Sequence, residues 1–173
     1  MSISRYIRQA IIGRDEKNRS IAEQLLGLFI YLVIIFSFAV FINYITKKTI
    51  LPKAIFSWDF PLQYHLSVGT IFYLFLSLNI WILWRKISIN HLKLEISLLI
   101  ASLLFNTIWS LFFILADEAL LGLIFILLAW SLTLILLIVS YKRKKIAALF
   151  NVLWLSWISY LVGLNMSICS YFY

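Results

Sequence analysis

Residues 119–141 read ALLGLIFILLAWSLTLILLIVSY, a run without a single Asp, Glu, Lys or Arg. A bilayer core of about 30 Å needs about 20 apolar residues in a helix, so this run is long enough to cross one. Four more charge-free runs of similar length accompany it: Leu25 to Tyr44, Tyr64 to Trp84, Ile96 to Leu115 and Ile146 to Ser170. All are apolar on every side. A strand of a membrane barrel would instead alternate in polarity over ~10 residues, and backbone groups in lipid must be satisfied within their own segment. The expected fold class is therefore all-α, an integral membrane bundle of five transmembrane helices. Composition agrees, since 64% of the 173 residues are hydrophobic and 13% are charged, against about a quarter charged in a soluble domain. A soluble fold is excluded.

Charge placement predicts orientation. The first 20 residues carry Arg5, Arg8, Arg14, Lys17 and Arg19, the second loop Arg85, Lys86 and Lys93, and the fourth loop four basic residues from Lys142 to Lys145. The opposite side has Lys47, Lys48 and Lys53, while the third loop contributes only Asp117 and Glu118. The positive-inside rule puts the N-terminus in the cytoplasm and the C-terminus outside. The first apolar run is longer than a signal-peptide core and has no evident cleavage site, so it is read as a retained span. Residues 1–22 form a basic cytoplasmic extension, residues 23–173 the five-helix domain, and the first loop, 45–63, a candidate lid holding Pro52, Trp58 and Pro61. The net charge of +8 is explained by topology and attraction to anionic membrane lipid, and no nucleic-acid partner is expected.

Several chemistries lose their residues. By these boundaries no Asp, Glu, Lys or Arg lies within a span, which removes the usual marks of acid/base catalysis and ion-coupled transport. His65 and His91 fall on opposite sides and cannot share a metal, Cys169 is alone, and no metal site is assigned. No hydrolase elbow, zinc-protease motif or phosphate-cradling glycine loop is present.

Tryptophan placement is the unusual feature. Trp81 and Trp84 suit the interfacial belt, whereas Trp130, Trp154 and Trp157 fall roughly 12 to 16 Å into their spans, near mid-bilayer. On the fifth span Trp154, Trp157, Leu161 and Asn165 share one helical stripe, and on the third Asn106 and Trp109 are i, i+3 neighbours. Such faces can enclose a cavity for a flat aromatic ligand, or they can simply pack with Asn as interhelical glue.

The same residues resemble the translocator protein family, also called tryptophan-rich sensory proteins (TspO/MBR) or peripheral-type benzodiazepine receptors. The resemblance rests on Asn106-Thr107-Ile108-Trp109, on Trp130, on Trp154-Leu155-Ser156-Trp157 followed eight residues later by Asn165, on Gly69-Thr70-Ile71-Phe72-Tyr73, and on Trp58 with Pro61. It covers about residues 58–169. Gly69 stands where the family has Trp, Leu111 and Leu153 where it often has Pro, and Trp154 where it has Tyr. Loss of those prolines implies straighter helices.

The resemblance implies a membrane receptor, sensor or translocator that binds tetrapyrroles, protoporphyrin IX or haem, or sterol-like hydrophobic ligands, among its helices. Trp58 would be the lid, Asn106 and Trp109 the third-helix wall, and Trp157 and Asn165 the fifth-helix wall, with Trp154 refilling part of it and Trp130 structural. Porphyrin or haem would be a noncovalent ligand, and no cofactor is required. Two other outcomes stay open: photo-oxidative porphyrin degradation with Trp58 and Trp157 as redox-active side chains, and a structural or regulatory subunit without a small ligand. The family implies a homodimer, for which Ser97-x-x-x-Ala101 offers a small-residue contact. The expected location is a bacterial cytoplasmic membrane, with an outer membrane as the family's alternative.

Overall fold

The computed structural model describes residues 19–47, 62–116 and 118–172, with side chains left out at 45–47, 62–67, 115 and 171–172. Among the described residues the chain is helical throughout, with no strand. The five helices are α1 (Ile21–Lys47), α2 (Leu62–Trp84), α3 (Lys93–Ser110), α4 (Ala119–Arg143) and α5 (Lys145–Phe172). A 3-10 turn, Ile89–His91, precedes α3. α1, α3, α4 and α5 are long and apolar enough to cross a membrane, while α2 contributes a shorter described apolar stretch, Val68–Trp84. Outward faces are rich in Phe29, Val33, Leu104, Ile124 and Val152, an apolar coat that suits lipid and not water.

Local chemistry sets the ends. Ser20 and Glu23 close a reciprocal box at the start of α1: the Ser20 amide donates to Glu23 Oε2 at 2.8 Å, and the Glu23 amide donates to Ser20 Oγ at 3.3 Å. Replacing such a cap by Ala costs about 0.5–2 kcal/mol. α4 gives way to α5 across one extended residue, Lys144, whose amide still bonds to Ser140 O at 2.7 Å. That short joint forces α4 and α5 to lie antiparallel as neighbours.

Packing runs around a ring in the order α1, α2, α5, α4, α3, with α3 closing only lightly on α1. α1 is fastened at the end of α2. Arg19 Nη1 donates to the Trp84 carbonyl, and the guanidinium carbon, Cζ, lies 3.9 Å from the centroid of the Trp84 ring. Trp81 Nε1 donates to Gln24 O at 2.8 Å, and Arg85 Nε to Gln24 Oε1 at 2.6 Å. Gly27 lies flat against the Trp84 ring, in space a Cβ would have to share with it. The two tryptophans expected at an interface thus also latch two helices together.

Two expectations are corrected. Without a proline at Leu111, α3 is nonetheless irregular: it widens into a π turn over Leu111–Leu115, with Ala116 N bonded to Leu111 O at 3.1 Å. The turn is accommodated by close approach to α4, where a Cβ on Gly122 would lie 3.0 Å from Phe113 Cβ. Nor is the span interior free of charge, because α3 begins three residues earlier than expected. Glu95 sits in its first turn, fully buried, with Oε1 3.1 Å from Arg143 Nε at the end of α4. Arg143 was counted as a loop residue, and helix α4 runs through it.

Candidate functional site

The inward stripe of α5 is as periodicity predicts: Trp154, Trp157, Leu161 and Asn165 are all buried. Their partners differ along its length. Trp157 lies against α2, where its ring stacks on Phe72 with centroids 5.1 Å apart and planes 15° apart, and Tyr160 flanks it at 5.5 Å. The contact is close because α2 has no side chain at Gly69, where a Cβ would stand 3.1 Å from Trp157 Cζ2. At the position that departs from the family's tryptophan, Trp157 itself covers the backbone.

One turn along, Tyr73 of α2 joins α5 to α3. Its ring meets Trp154 edge-on at 5.0 Å, and its hydroxyl accepts a hydrogen bond from Asn106 Nδ2 at 2.8 Å. Trp154 Nε1 and Asn106 Oδ1 are buried with no partner among the described residues. One is a donor and the other an acceptor, and both border Tyr73. A buried polar atom left alone costs about 1–3 kcal/mol, so each is a place where a guest can be recognised.

The third grouping is complete. Trp109 Nε1 donates to Asn165 Oδ1 at 2.8 Å, and Asn165 Nδ2 donates to Ala119 O at 2.8 Å, tying α3, α5 and α4 together. Phe113 of the π turn stacks on Trp109 at 5.3 Å. The sulfur of Cys169 lies 3.5 Å from Asn165 Nδ2. Trp130 is apart from all this, at the α4–α5 boundary, where Nε1 donates to Ser159 Oγ at 2.9 Å.

Five of the six residues expected at the site therefore line the interior in three linked groups: Trp157, then Asn106 with Trp154, then Trp109 with Asn165. The sixth, Trp58, and the rest of its loop lie outside the described residues. Sequence reasoning did not place Tyr73 and Phe72 in the site, although they connect these groups. The signal was present in α2, whose buried positions Gly69, Tyr73, Leu76, Ile80 and Leu83 recur at helical spacing. Chemically, the interior offers flat aromatic faces, one indole donor and one amide acceptor.

A family model described as the TspO/MBR family matches residues 28–171, from within α1 to the end of α5 but for Phe172. No curated protein matches the chain.

Proposed function

The chain belongs to the TspO/MBR family of membrane proteins, and from that premise we propose that it is a receptor or translocator binding tetrapyrroles such as protoporphyrin IX between α2, α3 and α5. The observation that carries this reading is the Phe72–Trp157 stack beside the two unpartnered atoms at Tyr73. Separating one aromatic pair forfeits about 0.5–1.5 kcal/mol, whereas a flat macrocycle slipped between the rings gains two such stacks. Asn106 Oδ1 and Trp154 Nε1 would orient it, taking a donor and an acceptor from its edge. Asn165 and Trp109 would close the far wall. α3, which rests only lightly on α1, is the wall that can yield. The charge distribution supports an N-terminus on the cytoplasmic side.

Titration of the purified, detergent-solubilised protein with protoporphyrin IX tests this, following tryptophan quenching and the porphyrin band in the dark and then under light. Saturable quenching that weakens in Trp157→Phe is expected. Linear quenching, identical in the variant, would overturn the assignment. Bleaching that requires Trp157 would make the protein a porphyrin-degrading enzyme.

A further inference from the structure

At the end of the bundle bearing Arg85 and Lys142 to Lys145, two layers are stacked. The outer one is apolar: Leu83 of α2, Leu92 before α3 and Ala147 of α5 pack together, fully buried. Each has a polar residue one turn deeper along its own segment: Asn79 four before Leu83, Glu95 three after Leu92, and Asn151 four after Ala147. At 1.5 Å per residue these lie about 4–6 Å further into the membrane. All three are 0% exposed.

Each presents an oxygen with no partner among the described residues: Asn79 Oδ1, Glu95 Oε2 and Asn151 Oδ1. The amide orientations are not interchangeable. Asn79 Nδ2 donates to Ala147 O at 2.6 Å, and Asn151 Nδ2 to Ser140 Oγ at 3.0 Å with Leu136 O at 3.5 Å. Turning either amide over would set an oxygen against a carbonyl. Glu95 Oε1 is taken by Arg143, whose Nη2 also reaches His91 O at 3.3 Å. The layer therefore offers unpartnered acceptors from three segments, with the second N–H of Asn79 Nδ2 as a donor beside them. What fills it must bring hydrogens.

We infer that this layer is a hydrated chamber, holding ordered water and reached past the Leu83–Leu92–Ala147 plug from the basic end. Because Arg143 already neutralises Glu95, the resting guest is water, which satisfies acceptors at no charge cost. Asn151 lies one turn from Trp154 on α5, so the chamber is a second site that adjoins the aromatic groups on the side of the basic end.

Radiolytic hydroxyl footprinting of the unaltered protein in liposomes provides the first test. Leu83 and Leu92, although buried, should be oxidised at rates near that of exposed Leu94, because radicals form from the water beside them; Ile126, also fully buried, should not. Labelling of Leu83 and Leu92 no faster than Ile126 overturns the chamber. Entry is tested with Asn79→Cys and Asn151→Cys in a Cys169→Ser background, in sealed vesicles, using membrane-impermeant thiol reagents. Both thiols should react from the same side as Lys144→Cys. No reaction of either thiol, or modification from the other side, refutes entry from the basic end.

Discussion

Asn165→Ala is the substitution whose cost the structure defines best. The side chain is fully buried and holds two bonds at 2.8 Å, accepting from Trp109 Nε1 and donating to Ala119 O, besides a longer contact to Cys169 Sγ. The two losses are unequal. Ala119 O begins α4 and keeps its helical partner, so that bond is worth about 0.6 kcal/mol, the average for interhelical bonds in membranes. Trp109 has one N–H and no alternative among the described residues, so leaving it buried costs about 1–3 kcal/mol. The sum is roughly 1.6–3.6 kcal/mol, read from reversible unfolding in mixed micelles followed by circular dichroism. The diagnostic step is adding Trp109→Phe, which removes the stranded donor and preserves a ring to stack on Phe113. The double variant should then be less destabilised than the two single variants together by about 1 kcal/mol or more, beyond the ~0.5 kcal/mol within which independent sites add. Strict additivity would refute the claim that these residues act as a bonded pair.

Five further substitutions follow from the geometry. Gly27→Ala drives a methyl group into the Trp84 ring and should cost about 3 kcal/mol, the upper end of overpacking, whereas Gly163→Ala, with open space around it, should be neutral or slightly stabilising; thermal unfolding of the pair checks the contrast. Gly69→Ala gains up to about 1 kcal/mol of helix propensity but presses on Trp157 at 3.1 Å, so a net loss of about 0–2 kcal/mol is expected, together with weaker protoporphyrin quenching. Arg143→Met should destabilise more than Glu95→Gln, because the Arg143 side chain, 28% exposed, can reach water when unpaired whereas the Glu95 carboxyl, at 0%, is left buried without its partner; equal unfolding midpoints would contradict that asymmetry.

How far the site could be read in advance depended on whether a residue's neighbour lies on its own helix. The stripe of Trp154, Trp157, Leu161 and Asn165 was legible because helical spacing alone puts these on one face. That Trp109 would bond to Asn165, fifty-six positions away, was not, because nothing local states which helix α5 will face. The π turn at Leu111–Leu115 illustrates the same limit: the missing proline argued for a straight helix, and the close approach of Gly122 allowed another irregularity in its place. Glu95 was misjudged for a related reason. By hydropathy it belongs to a loop, and only Arg143, brought up on a different helix, makes its burial tolerable.

What the chain alone determined is the set of elements. Five runs, each apolar and long enough, have one economical conformation in lipid, since every backbone N–H and C=O must be satisfied within its own segment. The inward face of each helix is also largely written in its periodicity. Which faces meet was decided only by the tertiary structure, because lipid leaves apolar helix surfaces nearly indifferent to one another and the choice falls to close packing and a few buried polar pairs. The ring order α1, α2, α5, α4, α3, the stack of Trp157 over Gly69, and the acceptor layer of Asn79, Glu95 and Asn151 beneath its apolar plug all follow from that choice.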